Sequence, residues 1–136
     1  MIMKVQKRFY ILILWSAFIM LTVGIPGAYI PKPMNFMKLF SPDKIVHILL
    51  FAPFAFLLMR YLKSLKKENI FTKYYIITTI FFGIIYAIST ELLQVFVFVG
   101  RNGNIYDAIA DVAGVFLGSF IFYTVYKRID AKSYNP

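Results

Sequence analysis

Ile88 to Ser119 reads ISTELLQVFVFVGRNGNIYDAIADVAGVFLGS. It is apolar enough to sit in a bilayer, yet it carries Glu91, Gln94, Arg101, Asp107 and Asp111. Gly100-Arg101-Asn102-Gly103-Asn104 in its middle has turn composition, so it reads as one helix ending and another beginning. Charges inside hydrocarbon are rare, and they mark a working site or partners for each other.

The rest of the chain agrees with a membrane reading. Its 136 residues are 60% hydrophobic, and the mean hydropathy is +0.72. A soluble domain is usually about 45–50% apolar, and here the excess comes in long blocks. Aromatic residues reach 19%, in keeping with lipid and its interface. Cysteine is absent, which excludes disulfides, a thiolate nucleophile and a cysteine-held metal. The net charge of +9 sits beside the apolar runs rather than on a face. No nucleic-acid partner is expected from it. Membrane lipids with anionic headgroups are the fitting partner.

Four spans follow. Phe9 to Ile25 comes after Lys4, Lys7 and Arg8. A secretory signal also starts basic, but this apolar run is long and no clean small-x-small site follows, so a first helix is expected. Pro26, Pro31 and Pro33 break the chain, and Met34 to Phe40 suits a short interfacial turn of helix. Ser41-Pro42 reads as N-cap and N1 of a second span, residues 45–62, with Pro53 bending it. A short basic linker, Ser64 to Lys73, leads to a third span over residues 74–99. Asn104 caps a fourth over 105–126, and a polar, frayed tail is expected from Ile129. The fold class is thus an all-α integral membrane bundle of four transmembrane helices, a single domain over residues 1–136.

Three pairs share helix faces. Asp43 and His47 are four apart, so the carboxylate can orient the imidazole and hold it protonated. Asp43 can equally complement the helix N-terminus while His47 bonds a neighbour. Glu91 and Gln94 are three apart; Glu91 must pair, bind a cation or carry a proton. Its bland alternative is an internal ion pair with Arg101 or His47. Asp107 and Asp111 are four apart. Asp107 falls at N3 if Asn104 caps, so a capping role alone is one sufficient reading of it; Asp111 lies a turn deeper, where capping cannot help. Gly114 and Gly118 form a small-x-x-x-small seam near the same face. Asp43, His47, Glu91, Asp107 and Asp111 together offer oxygen and imidazole ligands for a divalent cation. None has metal-motif spacing within one segment, so no metal and no cofactor is expected. Ser41, Ser89 and Thr90 lack the context of a hydroxyl nucleophile, and no phosphate loop is present.

Asp43-Lys44-x-x-His47, Glu91-Leu92-Leu93-Gln94, Gly100-Arg101 and Asp107 with Gly114 and Gly118 resemble the VanZ-like family. These are small bacterial multi-pass membrane proteins named for a teicoplanin-resistance accessory protein. The likeness is strongest over residues 41–119. The family commonly reads Asp-x-x-Ala-Asn before its glycines, where this chain reads Asp107-Ala108-Ile109-Ala110-Asp111. That departure adds a negative charge, or a proton, to the site. The resemblance implies the cell membrane, the cell envelope and antibiotic resistance, and supplies no established reaction.

Three functions fit these residues. One is accessory binding of a lipid-linked envelope precursor or glycopeptide through Arg101, His47, Gln94 and the carboxylates. Another is acid–base chemistry on a lipid headgroup, with His47 and Glu91 as the catalytic pair and Arg101 steadying an anion. The last is a structural network serving a partner complex. Whether the chain is an enzyme, and its oligomeric state, stay open at the sequence level.

Orientation comes from counting Lys and Arg. The N-terminus, the second connection with Arg60 and the C-terminal tail hold 11; the first and third connections hold 4. That bias puts both termini in the cytoplasm and every unusual polar residue toward the outer face. A reporter fused after Lys66 should therefore report a cytoplasmic location. An external signal would reverse the orientation.

Overall fold

The computed structural model describes residues 2–26, 42–65, 69–101 and 103–133, with side chains between Val5 and Tyr126. Ser41, the Met34 to Phe40 turn, Pro31, Pro33 and Asn102 lie outside the described residues. The chain is helical: α1 (Ile2–Val23), α2 (Pro42–Leu62), α3 (Ile70–Lys73), α4 (Tyr75–Phe96) and α5 (Ile105–Ser133). Val5–Val23, Pro42–Leu62, Tyr75–Phe96 and Ile105–Tyr126 are each long and apolar enough to cross a membrane. The four expected spans are present, with shifted ends.

Each shift has a local cause. α1 stops at Val23 rather than Ile25 because Pro26 disfavours helix in the residue before it. The chain turns out through Gly24 N–H to the Met20 carbonyl, 3.0 Å, and Ile25 N–H to that of Thr22, 3.3 Å. α2 runs unbroken through Pro53. Part of the second connection, expected as a plain linker, winds into α3. Asn69 caps it reciprocally: its side chain accepts from Thr72 N–H (2.9 Å), and Thr72 Oγ1 accepts from Asn69 N–H (3.0 Å). α4 ends at Phe96, short of Val99. There the N–H groups of Val97 and Phe98 both reach the Leu93 carbonyl at 2.9 Å, and Gly100 takes a left-handed φ of 69°. α5 begins as expected, with Asn104 Oδ1 accepting from Tyr106 N–H at 3.1 Å. It continues to Ser133 where fraying was expected, since no glycine or proline intervenes before Pro136.

α2 is the centre of the bundle and packs against α1, α4 and, most extensively, α5. Its Leu50, Phe51, Phe54 and Ala55 join Leu12 and Ile19 of α1, Ala87 of α4 and Val115 of α5 in one buried cluster. Phe9 of α1 meets Tyr61 of α2 ring to ring at 5.5 Å, so the start of α1 lies by the end of α2. Two polar bonds fix the apolar contacts. Trp15 Nε1–H donates to the Leu50 carbonyl (2.8 Å), and Tyr86 O–H donates to the Ser16 carbonyl (2.7 Å). Leu14, Leu21, Leu49, Ile77 and Phe120 face outward, as lipid contact requires.

The α2–α5 contact is close enough to need glycine. A Cβ on Gly114 would lie 2.7 Å from the Ile48 carbonyl oxygen, and one on Gly118 would run into the Ala52 carbonyl. Because the obstacle is backbone, a side chain can be admitted only by moving a helix. Gly118→Val should destabilise the purified protein by about 3 kcal/mol or more, beyond ordinary overpacking of about 1–3 kcal/mol. Gly114→Ala should lose less. Thermal unfolding in one detergent measures both, and an unchanged midpoint for Gly118→Val would remove the seam from the account.

Candidate functional site

The site is built where three helix ends meet: the starts of α2 and α5 and the last turns of α4. Proline at N1 and Asp43 in the first turn begin α2, so His47 falls one turn inside. Asn104 begins α5, which puts Asp107 in its first turn and Asp111 one turn deeper. The glycine seam then draws the two helices together. As a result His47 Nδ1 and Asp111 Oδ1 lie 2.8 Å apart, with the two residues 1% and 0% exposed.

This changes the imidazole's partner. The four-residue spacing points to Asp43, whereas the short contact goes across helices to Asp111. Asp43 is half-buried at the edge. Its carboxylate, an imidazole nitrogen of His47 and an oxygen of Asp107 lie within 4.8 Å of one another. Asp107 takes a second cross-helix partner, the Lys44 ammonium, at 3.2 Å. Capping does not account for Asp107, because the Asn104 N–H that a capping box would use is already bonded to Glu91.

Glu91 reaches the cluster from α4. Its Oε2 accepts from Asn104 N–H at 2.8 Å and ties the α4–α5 turn to the helix before it. Gly103 makes room for this: a Cβ there would sit 2.9 Å from the Glu91 carbonyl. Glu91 is 8% exposed, and ligand atoms of Glu91, His47 and Asp111 fall within 4.8 Å of one another. Glu91 Oε1 and Asp111 Oδ2 are buried without a hydrogen-bond partner among the described residues.

Two expected members sit apart by their contacts. Gln94 is fully buried, and its Nε2 donates to the carbonyl of Val23, the last residue of α1, at 3.2 Å. It thereby satisfies one of the carbonyls that a helix end leaves open. Arg101 is half-buried in the turn; among the described residues its guanidinium makes no hydrogen bond or ion pair. The internal Glu91–Arg101 pair is therefore not formed. Lys44 was absent from the expected site residues. Its signal was its position, since a cation in the first turn of a membrane helix opposes the helix dipole and needs an anion nearby.

The arrangement has two chemical capacities. A carboxylate-oriented imidazole beside a second carboxylate can move a proton. A group of buried carboxylates with open oxygens can take up a cation. The geometry also carries a stability prediction. Removing one partner of a buried pair leaves the other uncompensated, at about 3–5 kcal/mol. His47→Ala should lose that much, and the double variant His47→Ala/Asp111→Ala should recover part of it. A double-mutant cycle by unfolding in detergent measures the coupling, and strict additivity would deny it.

The profile of one family, described as VanZ/LLP1, matches residues 5–126. No curated protein and no solved structure matches the chain. The matched region takes in all four apolar helices and every residue of the cluster. The chain therefore belongs to the VanZ/LLP1 family and is a multi-pass membrane protein of the VanZ-like type.

Proposed function

We propose that this protein serves the bacterial cell envelope as an accessory binding protein in the cytoplasmic membrane. Both termini lie in the cytoplasm, and the polar cluster lies toward the outer side. The observation carrying the reading is the uneven distribution of charge between the two ends of the bundle. Asp43, His47, Glu91, Asp107 and Asp111 gather at one end. Arg8, Arg60 and Lys63 line a pocket at the other, with Lys63 Nζ 4.7 Å from the centre of the Tyr75 ring and 4.9 Å from that of Tyr126. A basic, aromatic end suits the cytoplasmic headgroups.

Half-buried Arg101, without a protein anion among the described residues, is the group that meets the ligand. Its planar fork suits a phosphate or carboxylate. A lipid-linked envelope precursor or a glycopeptide such as teicoplanin supplies that chemistry. The His47–Asp111 contact favours one alternative, acid–base modification of a lipid headgroup by His47 with Glu91.

The test compares wild type, Arg101→Ala and Glu91→Gln at equal protein level in a teicoplanin-susceptible host. Loss of a charge-assisted contact worth about 1.5–3 kcal/mol lowers ligand affinity roughly 10- to 150-fold. Arg101→Ala should thus return susceptibility to that of the host alone. Unchanged resistance in well-expressed variants would leave the charges a structural network. Envelope lipid profiles that change with wild type but not with Glu91→Gln would favour the enzyme.

A further inference from the structure

We infer that His47, Glu91 and Asp111 form a binding site for one divalent transition-metal cation. The inference does not depend on the envelope ligand proposed above. It rests on the donors themselves. They come from three different helices, α2, α4 and α5, and all three residues are buried. One ligand atom from each lies within 4.8 Å of the others. Around a tetrahedral ion with bonds of about 2.1 Å, ligand atoms are separated by about 3.4 Å. The 2.8 Å contact of His47 Nδ1 with Asp111 Oδ1 is shorter than this, so a bound ion takes the other Asp111 oxygen or replaces that hydrogen bond.

The open oxygens point the same way. Buried carboxylate oxygens are normally hydrogen-bonded. Glu91 Oε1 and Asp111 Oδ2 are both buried and both lack a partner among the described residues. They belong to two of the three residues that converge. A cation held between the two residues would supply the partner these carboxylates lack.

Charge balance separates this triad from its neighbour. Asp43, His47 and Asp107 form a second group through the shared imidazole. That group already has a cation, because Lys44 bridges Asp107. Among the described residues, the carboxylates of Glu91 and Asp111 have no lysine or arginine partner. Two adjacent carboxylates at membrane depth need positive charge or protons. The donor set selects the metal. Imidazole with carboxylates suits zinc or manganese, whereas calcium and magnesium prefer oxygen alone. Three protein ligands leave a coordination position open. The expectation of no metal came from spacing within single segments, which is blind to ligands contributed one per helix.

The test uses the full chain, purified in detergent without a histidine tag and stripped with chelator. Titration calorimetry with zinc, and elemental analysis after desalting, should give one zinc per chain. Magnesium and calcium at the same concentration should not displace it. Glu91→Gln and Asp111→Asn keep shape and fold, and each should weaken zinc binding at least about tenfold. Asp43→Asn should leave it within about twofold. Zinc should raise the unfolding midpoint of wild type and of Asp43→Asn by similar amounts, and that of the other two by less. Substoichiometric zinc, equal binding by every variant, or loss in Asp43→Asn alone would each overturn the site. Zinc binding that survives while drug susceptibility is unaffected by the protein would sink the envelope role and leave the metal site standing.

Discussion

The contact between α2 and α5 is the constraint from which the rest of the bundle follows. Backbone meets backbone there because Gly114 and Gly118 present no side chain to Ile48 and Ala52. Lipid gives no hydrophobic drive for two apolar helices to associate, so close packing and polar contacts must hold them. This seam has both. Below the polar end the two helices touch through glycine; at the polar end they are joined by Lys44 with Asp107 and His47 with Asp111. The small residues allow an approach that brings the ionisable groups within hydrogen-bond range. The ionisable groups in turn set which faces and which depth the helices share.

α4 completes the arrangement through its turn rather than its length. It ends early at Phe96, and Gly100 and Gly103 let the chain fold back tightly. The Asn104 N–H then finds Glu91 Oε2. One carboxylate thereby orders the start of α5 and lies with a ligand atom within 4.8 Å of those of His47 and Asp111. Gln94, one turn on, secures the end of α1. The same short stretch of α4 holds the site from one side and the bundle from the other. A substitution there disturbs both sets of contacts, so isosteric changes separate the two better than truncations do.

Much of this was legible in the chain. Apolar blocks of span length, the turn at residues 100–104, the Asn104 cap and the glycines at 114 and 118 are local or periodic features. Local features survive folding because neighbouring residues already determine them. The cluster's membership was largely visible too, since a carboxylate within a span announces itself by its desolvation. The pairing was not. Asp43 and Asp111 were both available to His47, and only the depth at which α5 docks decides between them. The lack of a partner for Arg101 among the described residues and the Val23 contact of Gln94 were equally hidden, because both depend on where a different helix ends.

What the sequence alone determined is therefore the kind of object: four apolar helices, one polar end, and a seam of small residues. These are properties of segments, set by transfer free energies and backbone propensities that act residue by residue. The tertiary structure decided which carboxylate meets the imidazole, which oxygens lack a partner among the described residues, and that His47, Glu91 and Asp111 converge from three helices. Those are distances between segments, set by how closely two backbones approach, and in this protein two glycines determine that approach.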